Sequence, residues 1–141
     1  MTTLNEAREA LYKRFNDLWV DGLGDPLTPF TFDNETFEPP ETGSWVRVAV
    51  RHLFSSQETL GKPGNRKFRR PGSLIIQLFT ATETGMESID TLSEKVRSIF
   101  EGITLVPEAI HLGTTTIRES GTDGKWNQST AETPFDYDET K

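Results

Sequence analysis

Five of the chain's fifteen Lys and Arg residues, namely Lys62, Arg66, Lys67, Arg69 and Arg70, fall within nine positions. No acidic residue lies between Thr59 and Thr82, although the whole chain has a formal charge of -7. A cation cluster of this density can hold phosphates, or the carboxylates of a protein surface. Its frame, Ser55–Gly72 (SSQETLGKPGNRKFRRPG), superficially suggests a phosphate-cradling loop. A P-loop, however, needs G-x-x-x-x-G-K-[ST] between a strand and a helix. Here Pro63 and Pro71 lack amide donors and no Ser or Thr follows Lys62, so a nucleotide site is not expected. Phe68, between Lys67 and Arg69, is costly to expose and useful as an interface anchor. Three readings of the cluster follow: a solubilising hairpin tip, a footprint on nucleic acid, or an arm that docks on an acidic protein surface.

A search for catalytic groups returns little. The chain has no cysteine, which removes disulfides, thiolate ligands and thiol nucleophiles together. Its two histidines, His52 and His111, are far apart in sequence and form no H-x-x-x-H or H-E-x-x-H spacing. Each reads as a hydrogen-bonded core or edge residue. No serine lies in G-x-S-x-G, and the carboxylates are scattered over helix faces and loops. No catalytic residue, metal site or cofactor is expected, and the chain reads as a non-enzyme. The opening MTTLNEAREALYKRF lacks the apolar core of a signal peptide. No apolar run approaches the ~20 residues that cross a bilayer. The expectation is a soluble protein made in a cytoplasm, with no membrane partner.

The elements that would hold the cation cluster are readable from periodicity. At 141 residues the chain is expected to form one domain, residues 1–141. Leu4, Ala7, Leu11, Phe15, Leu18 and Trp19 recur at helical steps, with Thr3 and Glu6 as a capping box and Gly22, Gly24 and Pro26 as the stop. Phe30 and Phe32 mark a short strand. Trp45–Phe54 alternates, Val46, Val48 and Val50 facing one way and Arg47 and Arg51 the other. Leu74–Ala81 is apolar on both faces, which suits the middle of a sheet. These two strands predict an antiparallel hairpin with Ser55–Gly72 as its tip. Trp45, Arg47 and Arg51 are candidates for an outer sheet face or a subunit interface.

A second helix is expected over about Met86–Glu101, buried through Ile89, Leu92, Val96, Ile99 and Phe100, with Thr84 and Glu87 as a capping box and Gly102 past its end. Strands over about Ala109–Arg118 and Lys125–Ala131 should follow, joined by a turn at Gly121 and Asp123-Gly124. The acidic segment Thr133–Lys141 is expected to be ordered only in part. The pattern predicts an α+β domain: an antiparallel sheet of about four to five strands, two α-helices packed on one face, and a long hairpin loop.

Several segments together resemble the small tail terminator proteins of long-tailed bacteriophages. They are the opening helix, Asp33-Asn34-Glu35-Thr36-Phe37-Glu38-Pro39 leading into Ser44-Trp45-Val46-Arg47-Val48, Leu74–Phe79 followed by Thr84-Gly85, the helix ending at Phe100-Glu101-Gly102, and Pro134-Phe135-Asp136-Tyr137. The likeness in order spans nearly the whole chain. It departs at Thr80-Ala81-Thr82-Glu83, where a proline or glycine is expected nearer the strand's end.

The resemblance implies a non-enzymatic virion protein, assembled in the host cytoplasm and placed at the head-proximal end of the tail. It implies a hexameric ring that caps the last ring of tail-tube protein, stops polymerisation and meets a head-completion or connector protein. DNA would pass through the lumen without specific binding. In that setting Lys62, Arg66, Lys67, Phe68, Arg69 and Arg70 form a docking loop. A lumen that gripped DNA would obstruct its passage, so docking on protein is the favoured use. A head-to-tail joining protein is the related alternative, and a small nucleic-acid-binding module using the basic hairpin is the alternative of another class.

Overall fold

The structure is a computed structural model that describes residues 2–41, 43–82 and 85–141. Two helices, α1 (Leu4–Asp21) and α2 (Glu87–Phe100), accompany eight strands among the described residues. The strands are β1 (Phe30–Phe32), β2 (Trp45–His52), β3 (Ser56–Gln57), β4 (Lys67–Ala81), β5 (Thr104–Leu105), β6 (Ile110–Leu112), β7 (Thr116–Asp123) and β8 (Trp126–Thr140). All belong to one sheet of order β1-β2-β4-β8-β6-β5, with β3 beside β4 and β7 beside β8. The expectation of four to five antiparallel strands is thereby corrected. The sheet has eight strands, dominates the chain, and is mixed because β1 runs parallel to β2.

The sheet is built on β4 and β8, two strands of 15 residues paired antiparallel from Lys67↔Thr140 to Ala81↔Trp126. Each has an interrupted outer neighbour. β2 pairs with β4 as far as His52↔Gly72, and β3 resumes at Ser56↔Arg69. On the other side β7 pairs with β8 up to Thr116↔Glu132, and β6 takes over at Leu112↔Phe135. The hairpin of β2 and β4 is therefore present, but its tip is shorter than the sequence suggests. Strand β4 runs straight through Pro71-Gly72, where a break is expected. The Pro71 carbonyl accepts from the Leu53 amide, on the side away from β8, so the missing N–H removes no bond from the β4–β8 ladder. Gly72 is needed for packing: a Cβ there would collide with the Phe135 ring and the Arg51 carbonyl.

The C-terminal segment is corrected likewise. Thr133–Thr140 is the second half of β8, a central strand, and no partly ordered tail. The strand expected over Ala109–Arg118 is two pieces, β6 and β7, separated by residues 113–115. The turn before β8 is where the sequence puts it, with Asp123 opposite Trp126 and Gly124 at φ +63°.

One core holds these elements together. Val46, Val48 and Val50 of β2, Leu74, Ile76 and Leu78 of β4, and Ala131, Phe135 and Tyr137 of β8 share one sheet face. Helix α1 buries Ala7, Leu11, Phe15 and Trp19 in the same core, and α2 adds Ile89, Leu92, Val96, Ile99 and Phe100. Burying such side chains stabilises by roughly 1.5–3 kcal/mol each, before entropy is charged. Leu4, expected on this face, is half exposed. The Thr3 hydroxyl accepts from the Glu6 amide at 3.3 Å, as a cap should. Gly24 lets the chain turn tightly against Trp19, whose indole nitrogen donates to the Thr28 carbonyl at 3.1 Å. At α2 the N-cap is Met86; the expected capping box involves Thr84, which lies outside the described residues.

Candidate interaction surface

Past Pro71 on β4 and Asp136 on β8 the sheet narrows to three strands, β3, β4 and β8, and carries the cation cluster at its end. This part is termed the arm. Its local structure follows from charge. Lys67, Phe68, Arg69 and Arg70 lie on β4 opposite Thr140, Glu139, Asp138 and Tyr137 on β8. The basic run and the acidic C-terminal run are thus paired strands. Arg70 meets Glu139 at 3.0 Å with both side chains largely covered, and Lys141 meets the same carboxylate at 3.6 Å. Arg69 faces Asp138 across the other side of the sheet at 3.5 Å, a solvent-exposed pair. Arg66 and Lys141 exchange both backbone hydrogen bonds, which closes the ladder one step beyond Lys67↔Thr140.

The expected docking residues therefore divide. Arg69 and Arg70 are occupied within the arm. Phe68 is occupied too: the guanidinium groups of Arg66 and Arg70 stand 5.6 and 5.1 Å from its ring centre, and the ring is half-buried. Such clamping contributes about 0.5–1 kcal/mol per exposed cation. Arg66 also donates from Nε to the Lys141 carbonyl at 3.3 Å, so it belongs to the arm's own structure. Lys62 and Lys67 have no carboxylate partner among the described residues. Beside them stand side chains that sequence reasoning passed over. Phe54 is 96% exposed, Leu60 93% and Leu53 58%. Phe54 closes the alternating run of β2 just past its last paired residue, and a run that ends in two consecutive apolar residues was the available signal.

Trp45, Arg47 and Arg51 lie on the helix-free face, as their alternation predicts. Trp45 is buried there, stacked on Phe79 with centroids 4.0 Å apart and flanked by Phe37 and Trp126. Arg47 covers its ring at 5.2 Å. Arg51 is bound to the Asp33 carboxylate, and this holds the Asp33 carboxyl below its ordinary value. Arg51 thus ties Asp33 and Trp45 ties Phe37 to this face, and the buried Trp45 offers no free surface.

The histidines are separate. His52 Nε2 lies 3.0 Å from the Tyr137 hydroxyl, and its Nδ1 is buried without a partner among the described residues. Burial, and then the Arg8 charge, push the imidazole below its ordinary value, while burial and then Glu139 push the Tyr137 phenol up. The pair is neutral and joins the end of β2 to the base of the arm. His111 is at the surface, 3.3 Å from the Thr104 hydroxyl. No group of three or more His, Asp and Glu residues among the described residues is arranged to hold a metal. Among the described residues no helix is long and apolar enough to cross a membrane.

No family model matches the chain, and neither does any curated protein. A solved structure of 16% identity superposes with a TM-score of 0.73, covering 97% of this chain and 96% of the other. At that identity the likeness concerns the fold alone.

Proposed function

We propose that this chain is a ring-forming phage tail terminator, and that its arm is the element that docks on protein. The sequence resemblance supplies the class. The observation that carries the docking role is the arm itself: exposed Lys62 and Lys67 without carboxylate partners, with exposed Phe54 and Leu60, at one end of an acidic domain. A stop signal for a polymerising tube needs one surface complementary to its acceptor and another that does not template a further ring. Exposed apolar side chains within a cationic rim suit an acidic protein acceptor, where burial supplies affinity and charge supplies orientation. Phe68 is held between two arginines and is not offered to a nucleobase, which counts against single-strand recognition by stacking.

Electron microscopy of the protein mixed with purified tails tests the reading. Caps at one end of each tail are expected. Reversing Lys62 and Lys67 together to Glu should abolish capping while the circular dichroism spectrum is kept. Tails left bare by the wild-type protein would overturn the terminator reading. Arg69 and Arg70 are unsuitable for this test, because their reversal would unzip the arm from β8.

A further inference from the structure

On either side of the β4–β8 ladder the flanking strands stop at nearly the same line. β2 makes its last pair at His52↔Gly72, and β6 pairs no further than His111↔Asp136. Beyond that line lies the arm, whose first residues are Arg70 on β4 and Tyr137 on β8. One side-chain contact crosses the line between strands that are not neighbours: His52 Nε2 lies 3.0 Å from the Tyr137 hydroxyl. Strands β2 and β8 have β4 between them, so at about 4.8 Å per strand they run about 10 Å apart. Gly72 makes the reach possible. The Phe135 ring fills the space that a side chain at position 72 would take. The imidazole stands edge-on to Phe135 and Tyr137, 5.8 and 6.0 Å from their ring centres.

This tie suits a neutral imidazole and no other. The buried Nδ1 has no hydrogen-bond partner among the described residues. Without a proton it leaves one acceptor unused; with a proton it becomes an unmatched buried donor on a charged ring, which costs far more. The charged groups around the pair give no relief. On α1, Arg8 donates to the Val50 carbonyl at 3.2 Å, and its charge opposes an imidazolium. On β4, Arg70 adds a second cation near Tyr137. On β8, the Glu139 carboxylate is taken by Arg70 and Lys141, at 3.0 and 3.6 Å. On β2 itself, Arg51 is bound to Asp33 on the opposite face of the sheet.

We infer that His52 is the latch of a pH-dependent hinge: neutral, it ties the first arm residue of β8 to the end of β2 across Gly72, and protonated, it turns out to water and frees the arm to move against the core. The ring is half-buried at the edge of the core, so rotation of its side chain brings the charge to solvent. Its departure leaves the Tyr137 hydroxyl, on a side chain only 2% exposed, without that partner. An open arm leaves the imidazole at its ordinary value near 6.5, whereas the closed arm holds it lower. The latch is therefore complete above about pH 6.5 and weakens as pH falls below it, until the closed imidazole is protonated as well. At pH 5.5 a released imidazole is protonated about ten to one, so opening is favoured by up to about tenfold over its value at pH 7.5. The hinge needs no docking partner; that it governs docking rests on the reading of the arm as the docking element.

Amide hydrogen exchange of the full chain, expressed as protection factors at pH 7.5 and pH 5.5, tests the latch. Residues 66–70 and 137–141 should be less protected than Leu74–Leu78 at both pH values, which shows that the arm opens while the core stays folded. In the wild type their protection should fall by up to about tenfold at the lower pH. His52→Gln keeps a hydrogen-bonding side chain but cannot titrate, and the fall should vanish. Tyr137→Phe removes the hydroxyl that the imidazole grips. It should leave the arm poorly protected already at pH 7.5, with less than about a twofold further change at pH 5.5. Arm protection that ignores pH in the wild type overturns the inference, and so does an equal fall in His52→Gln or in Tyr137→Phe. Capping of tails is a separate readout. A pH-dependent arm in a protein that leaves tails bare keeps the hinge and removes the terminator reading, and capping by an arm indifferent to pH does the reverse.

Discussion

The two halves of the β4–β8 ladder are held by different physics. From Gly72 to Phe79, β4 lies between β2 and β8, and Leu74, Ile76 and Leu78 are sealed beneath the helices. From Lys67 to Pro71 the same strand has two-residue β3 on one side; Tyr137, opposite Arg70, is the last side chain of the core, and around and beyond it cross-strand charge pairs take the place of apolar packing. One half is a core and the other an arm, within a single uninterrupted pairing. The contrast shows how a strand can leave its core without ending. Backbone hydrogen bonding continues, and complementary charge on the facing strand replaces the hydrophobic term. Beyond Tyr137 the arm is ordered with little buried apolar surface, and Phe54 and Leu60 stay uncovered.

The largest expected effect breaks the core half. Ile76→Ala removes a fully buried side chain and should cost about 2–5 kcal/mol, read as a lower urea midpoint with an unchanged slope. Next comes the charge that ties the arm. Glu139→Gln leaves Arg70 largely covered without its counter-charge and should cost about 1–3 kcal/mol. Its signature is local: faster amide exchange over residues 66–70 and 137–141, with protection kept at Leu74–Leu78.

The smallest effect sits at the junction of the halves. His52 is held below its ordinary value of 6.5, so the unfolded chain takes up the proton first as pH falls. Its contribution is therefore complete above about pH 6.5, declines as pH drops below that value, and levels off once the folded imidazole is also protonated. His52→Gln should flatten the thermal midpoint against pH in this window. A slope unchanged by the substitution would assign the dependence to other groups.

Legibility in the sequence followed the same division. The core half could be read because its signals are local. Val46, Val48 and Val50 alternate with Arg47 and Arg51, and the apolar residues on both faces of Leu74–Phe79 mark a strand flanked on each side. The arm could not be read in this way, since each strand's character depends on the other. Pro71-Gly72 has turn chemistry when considered alone, and Asp136, Asp138 and Glu139 look like a solvated tail. Only their long-range pairing turns a basic loop and an acidic tail into two strands. The complementary charge was visible, but its register was not. β3 and β5 are two residues each, too short to show a period, and the parallel direction of β1 has no signature in Phe30-Thr31-Phe32. At the candidate surface, the cations were found, but which of them remain unpaired depends on that same hidden register.

Arg66, Arg69 and Arg70 hold the arm to the end of β8, while Lys62 and Lys67 serve the outer surface. Amide hydrogen exchange of the wild type, R69E/R70E and K62E/K67E, followed residue by residue over 66–70 and 137–141, tests this most directly. The account predicts that protection there collapses in the first variant and is kept in the second. Equal protection in all three proteins, or collapse in the second alone, would contradict it.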